Sequence, residues 1–138
     1  MKNPLPSSSI SDADSDRERD LARVAVDAAL QRKAEQVRVL DMRGVTHLAD
    51  FFLVCHGSNP RQVQAIAEAI EAGLRAAGAR VLHVEGRERG LWVLLDFGFL
   101  VAHVFQEASR EFYGLEKLWS DAGDVTGELV ASEGSRDA

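Results

Sequence analysis

The residues of this chain that could do chemistry lie in two short stretches, "DFG" at 96–98 and "GSNPR" at 57–61, and in four histidines and one cysteine. In a protein kinase the Asp-Phe-Gly triplet holds a catalytic magnesium ion. That chemistry also needs a Gly-rich loop over the phosphates, a strand lysine and a catalytic loop of the His-Arg-Asp type. None of these precedes Asp96, and neither G-x-G-x-x-G nor G-x-x-x-x-G-K-[ST] occurs in the chain. A plainer role fits the triplet better. "WVLL" and "LVAHVF" are apolar, partly β-branched runs on either side of it, and Asp-x-Gly between such runs suits a hairpin. Gly98 supplies the positive φ that a tight turn often needs.

The "HGSNPRQV" stretch at 56–63 raises a second possibility. A strand ends at Gly57-Ser58 and a helix follows, with Asn59 as N-cap and Pro60 in the first turn. Nucleotidyltransferases use a Gly-Ser turn of this kind to hold a triphosphate at a helix N-terminus, and Arg61 could also meet an anion. Such enzymes place two carboxylates one residue apart on a nearby strand to bind two metal ions. No D-x-D or D-x-E follows Ser58 on a strand, and the next strand offers only Glu85 at its end. The turn is therefore read as a helix cap.

A metal centre is not expected. His47, His56, His83 and His103 have no His or Cys partner at a zinc-motif spacing except the adjacent Cys55 and His56. Neighbouring strand residues point to opposite faces, so those two should not share an ion. Neither H-E-x-x-H nor G-x-S-x-G occurs. Cys55, in the apolar run "FFLVC", reads as a buried thiol rather than a nucleophile. No catalytic residue and no cofactor is expected.

One domain must position these residues. The chain has 138 residues, enough for a single proper core. With 16 basic and 22 acidic residues it carries a net charge of −6, poorly suited to gripping phosphate backbones without sequence preference. A basic partner is more natural, and no sequence-specific nucleic-acid binding is expected. No apolar run approaches the roughly 20 residues needed to span a bilayer. The N-terminal segment lacks a secretory hydrophobic core and is too acidic for a typical transit peptide, so a cytoplasmic protein is expected. A single cysteine excludes an internal disulfide and fits a reducing compartment.

Composition divides the chain into three zones. Residues 1–15, rich in Ser, Asp and Pro, are expected to be disordered. Residues 16–123 form the domain, and 124–138 read as a flexible tail. Within the domain, Leu21, Val24, Ala25 and Ala28 follow helical spacing. "VRVLDM" (37–42) and "FFLVCHG" (51–57) read as strands, the second apolar on both sides and so central. Val63, Ile66, Ala67, Ile70 and Leu74 line one face of a helix that Gly78 ends. "RVLHVE" (80–85) and the two runs around Asp96 supply three more strands. "EASREFYGLEKLW" closes the domain as a helix interrupted at Gly114. The order αββαβββα predicts an α/β domain with a five-stranded mixed sheet and flanking helices.

Together, "LADFFLVCHGSNPRQVQAIAEAI", the pair Glu85-Gly86 and "GLWVLLDFGFLVAHVFQEASREFYGLEKLW" resemble the ribosomal silencing factor family, also called Iojap-like, over roughly residues 18 to 122. The triplet at 96–98 matches that family's Asp-Tyr-Gly turn. The resemblance implies a nucleotidyltransferase-like fold without demonstrated nucleotidyl transfer. It also implies a non-enzymatic binder of the large ribosomal subunit. Such proteins dock chiefly on its universal protein fourteen, block joining of the small subunit and repress translation under nutrient limitation. Organelle relatives act in large-subunit assembly, and a homodimer stays open. Phe97 stands where the family commonly has Tyr, and Phe99 where it commonly has an acid.

The partner face is sought on the hairpin. In "LWVLLD", Trp92, Leu94 and Asp96 share one face, while Val93 and Leu95 share the other. Both faces are apolar, yet two long helices can cover only one well. The expected partner-binding residues are Trp92, Leu94, Asp96, Phe97, Phe99, His103 and Phe105. The competing reading puts Trp92 in the core, closed over by Phe112, Tyr113 and Trp119. A nucleotide-dependent transferase using Ser58 and Arg61 is the alternative from another class.

Overall fold

The computed structural model describes the backbone of residues 4–108 and 123–129, and the side chains of residues 16–108 and 123–129. Helix α1 spans Pro4–Gln31 and α2 spans Pro60–Ala76. The strands are β1 (Glu35–Asp41), β2 (Phe51–Gly57), β3 (His83–Glu85), β4 (Trp92–Asp96), β5 (Leu100–Gln106) and β6 (Gly123–Asp124). They form one mixed sheet in the order β3-β4-β5-β2-β1-β6. Only β2 and β5 run parallel; the other neighbours are antiparallel.

Strand β2 is buried at every position, as its continuous apolar run predicts, and lies between β1 and β5. On one face, α1 and α2 cover Val39, Phe51, Leu53, Cys55, Val93, Leu95, Ala102 and Val104. The buried stripe of α2 is Val63, Ile66, Ala67, Ile70 and Leu74, the five residues picked out by helical spacing. Gly73 lies against Val24 and Ala28, so small residues let the two helices approach closely. Behind α2, the Gly78 N–H bonds the Arg75 carbonyl and the Ala79 N–H bonds the Leu74 carbonyl, which closes the helix end.

Three expectations need revision. The sheet has six strands among the described residues, not five. The missed strand, β6, is only Gly-Asp, two residues with little intrinsic strand preference. It pairs with β1, and the Val125 N–H bonds the Val39 carbonyl just beyond it. Val125 and Leu129 are then buried in the main core, so the chain stays docked through 129 instead of fraying at 124. The apolar residues there are too sparse to show periodicity, and their burial depends on a contact with distant β1. Residues 130–138 lie outside the described residues. Helix α1 also reaches back to Pro4, into the segment set apart by its composition as disordered. Nucleation is the costly step of helix formation, and extension from a packed segment adds one hydrogen bond per residue fixed. The predicted closing helix falls on 107–119, of which 109–119 lie outside the described residues.

Leu129 is 1% exposed, whereas Glu128 beside it makes an exposed ion pair with Arg19. Leu129→Ala should therefore cost about 2–4 kcal/mol in denaturant unfolding, as a buried Leu truncation does. Glu128→Ala should cost less than about 1 kcal/mol. Equal small effects from both would show that the 123–129 segment is not part of the core.

Candidate functional site

The strand registers settle which side chains share a face. Trp92 pairs with Phe105, Leu94 with His103 and Asp96 with Val101. His83 pairs with Asp96, and Glu85 with Leu94. Paired residues of antiparallel strands point the same way. Trp92, Leu94, Asp96, His103 and Phe105 therefore stand on the sheet face turned away from α1 and α2, flanked by His83 and Glu85 at the β3 edge. The alternation Trp92-Leu94-Asp96 against Val93-Leu95 is as the sequence implied: the first three are half-buried, the other two fully buried under the helices.

Five of the seven expected residues thus come together, and two do not. Phe97 is buried in the core on the helix side, and Phe99 packs against that same core. The turn reverses direction at these two positions, so strand alternation does not extend through them. His103 and Phe105 lie on the expected face but beneath its surface, 4% and 0% exposed. They support Trp92 from behind. The Trp92 and Phe105 rings are 5.0 Å apart, the Phe52 and His103 rings 5.0 Å. Trp92 Nε1 donates to His103 Nδ1 at 3.2 Å. That bond requires a neutral imidazole with its proton on Nε2. Phe112, Tyr113 and Trp119, the residues of the competing core reading, lie outside the described residues.

Leu94 packs on a small cluster of Leu40, Met42, Ala49, Phe52 and Val101. Next to Ala49, Leu48 is 73% exposed, and Leu82, beside β4 through its N–H to the Asp96 carbonyl, is 70% exposed. Sequence reading missed His83, Glu85, Leu48 and Leu82. The alternation His83-Val84-Glu85 around one inward valine was the available signal for the first two. Nothing in sequence marked the leucines, because exposure of a loop residue is decided by packing.

The Asp96-Phe97-Gly98 triplet is a turn. The Phe97 N–H bonds the Leu100 carbonyl, the Gly98 N–H bonds Asp96 Oδ1 at 2.8 Å, and Gly98 has φ 91°. Its carboxylate thus holds the hairpin, and the Phe99 carbonyl accepts from Asp50 and Phe51, tying the turn to the start of β2. A second glycine is required by close approach. A Cβ on Gly86 would lie 2.0 Å from the Trp92 carbonyl oxygen, so the β3–β4 connection admits only glycine where it crosses the start of β4.

The Gly57–Arg61 stretch is a helix cap. Asn59 Oδ1 accepts from the Gln62 N–H at 2.9 Å. Gln62 reaches back: its Oε1 accepts from the Ser58 N–H at 2.7 Å, and its Nε2 donates to the Arg32 and Lys33 carbonyls at the end of α1. The backbone donor that a triphosphate would need at Ser58 is therefore engaged by Gln62. Glu85, the one acid on the following strand, is exposed and hydrogen-bonds His83 at 2.6 Å. No second carboxylate stands beside it to complete a two-metal pair on that strand.

Residues 15–138 match the family described as "Ribosomal silencing factor during starvation". The chain is 46% identical over 113 residues to the ribosomal silencing factor RsfS of Halalkalibacterium halodurans, covering 82% of this chain and 97% of that one. It is 42% identical over 105 residues to RsfS of Bacillus subtilis, covering 76% and 89%. A crystal structure of a Chromobacterium violaceum protein, 35% identical, superposes with a TM-score of 0.72 over 73% of this chain and 84% of that one.

Burial holds His103 down at a pKa of about 4, from an ordinary value of 6.5. The unfolded chain takes up its proton near 6.5 and the folded chain resists it to about 4, so stability falls with pH across that window. Urea unfolding from pH 7 to 4 should show this loss, on the order of a few kcal/mol. His103→Leu should flatten that part of the profile, and an unchanged slope would refute the buried neutral imidazole. At the cap, Asn59→Ala should cost about 1 kcal/mol in the same measurement at pH 7.

Proposed function

Because the chain belongs to the ribosomal silencing factor family, we propose that it docks on the large ribosomal subunit, chiefly on its universal protein fourteen, through the face of β3 and β4 that no described helix covers. Bound there, it blocks joining of the small subunit and represses translation when nutrients are scarce. It is a regulator of translation and not an enzyme. It works in the cytoplasm, where ribosomes join; no described helix is long and apolar enough to cross a membrane. We read the sheet with its capped helix as nucleotidyltransferase-like in form, without the transfer chemistry.

The observation that supports this most is the half-buried stripe Trp92, Leu94 and Asp96 on that face. Trp92 has one side against Phe105 and its N–H on His103, so its ring is held rigidly while part of it stays accessible. Rigid aromatic anchors of this kind lose little conformational entropy on binding and commonly dominate interface energies. Exposed Leu48, next to Ala49 of the cluster beneath Leu94, extends the apolar area. Glu85 and Asp96 give it an acidic edge, which suits a basic ribosomal protein and would steer association. The nucleotide-dependent alternative is weakened by the engagement of Ser58 with Gln62. Clear calorimetric binding of ATP or GTP with magnesium would revive it.

Co-sedimentation with purified large subunits tests the docking face. Trp92→Ala should remain folded by circular dichroism and bind roughly thirtyfold more weakly, corresponding to about 2 kcal/mol. A folded variant that pellets like the parent would remove Trp92 as an anchor. Glu85→Lys should slow association and reduce its salt dependence while leaving the melting temperature nearly unchanged. Light scattering of subunit joining should show relief of inhibition by both variants in the same order.

A further inference from the structure

At the opposite end of β2 from the Asp96 turn, three strand ends bring together residues that no sequence motif connects. Glu35 opens β1, His56 lies near the end of β2, and Glu107 follows directly on β5. Their potential ligand atoms all lie within 4.8 Å of one another. His56 Nε2 and Glu35 Oε1 are 3.1 Å apart. Two ligand atoms on a tetrahedral zinc ion, with bonds of about 2.0–2.1 Å, stand about 3.4 Å from each other. The three side chains are therefore within small rotations of a shared coordination sphere.

The backbone arranges this deliberately. Glu35 pairs with His56, but Arg38 pairs with Val54, so three residues of β1 step against two of β2. A regular ladder would set Gln36 opposite His56. The irregularity re-aims Glu35 onto the His56 face, and Gln36 takes φ 49° in doing so. Bulges of this kind commonly redirect a functional side chain. The parallel β2·β5 register, with Gly57 opposite Gln106, carries Glu107 to the same edge. This is the carboxyl end of the two parallel strands, where open α/β sheets place their ligands.

The chemistry suits a transition-metal cation. His56 is 4% exposed, so its ring is held in place before any ion arrives. Glu35 and Glu107 are exposed, which leaves an open side for entry and for a water ligand. Two carboxylates this close repel one another, and a cation between them converts that repulsion into attraction. One imidazole and two carboxylates match zinc, cobalt or manganese better than magnesium, which prefers oxygen and keeps its water. We propose that Glu35, His56 and Glu107 form a binding site for one divalent transition-metal cation of the zinc type. The ion would staple the start of β1 to the ends of β2 and β5. The site is on the same sheet face as Trp92, since His56 pairs with Phe105 and Phe105 with Trp92, but its test reads zinc alone and so is separate from the test of ribosome docking.

Titration of the full chain with zinc chloride at pH 7.5, followed by calorimetry and by 15N-resolved imidazole spectra, tests the site. The expected result is one equivalent bound, a shift confined to the His56 ring, and a raised melting temperature reversed by EDTA. Glu35→Gln and Glu107→Gln, both at exposed positions, should fold like the parent and weaken zinc binding at least tenfold, roughly the smallest change expected when a ligand is lost. Magnesium chloride at the same concentration should produce no heat. Absence of zinc binding would overturn the proposal, as would unchanged affinity in both variants. So would a shift at His83 in place of His56, which would locate the ion on the exposed His83–Glu85 pair.

Discussion

Strand β2 is buried from Phe51 to Gly57, and it pairs in parallel with β5 at the centre of the sheet. A strand buried on both sides demands that both faces of the sheet be covered, and the rest of the molecule answers that demand unequally. Helices α1 and α2 seal one face with a continuous aliphatic core. The other face holds two small clusters, one around Phe52 and Val101 and one of Val54 and Phe105, with Leu94 and Trp92 at their margins. Among the described residues, that asymmetry leaves Trp92 and Leu94 half-buried at the margin of the second face. A stripe that is inside the protein along one edge and accessible along the other can be rigid and sticky at once.

The buried polar residues of that second face obey the same constraint. His103 occupies an apolar site whose burial disfavours its charged form, and the Trp92 indole uses its acceptor nitrogen. The pair fixes the orientation of the tryptophan, since the indole N–H would otherwise lack a fixed direction. Rigidity of the indole and neutrality of the histidine are thus two results of one burial.

The short polar motifs serve connections, not catalysis. Gln62 ties three things together: its side chain meets the Ser58 N–H and the Arg32 and Lys33 carbonyls just past α1, and its backbone N–H makes the α2 cap with Asn59. Asp96 closes the β4–β5 turn, and the Phe99 carbonyl links that turn to the head of β2. Each link ends on the central strand or on the helices covering it. An anion-binding loop leaves its backbone donors pointing outward, and here the Ser58 donor is turned inward onto Gln62.

Much of this was legible from residue order because it depends on local periodicity. The α2 stripe, the central character of β2, the Asn59 cap, the turn at Gly98 and the alternation along β4 follow from helix and strand repeats, which are properties of neighbours in the chain. Tertiary structure alone decided what depends on distant segments meeting. Gly123-Asp124 is a strand only because the edge of β1 offers it a partner. Phe97 and Phe99 turn inward because the hairpin reverses there, which ends the alternation that had suggested a shared outward face. His103 and Phe105 sit on the expected face yet under it, since depth depends on what packs above a strand and not on its period. Glu35, His56 and Glu107 are 21 and 51 residues apart in order, and only the β1·β2 irregularity and the parallel β2·β5 register place their polar atoms within reach of one ion.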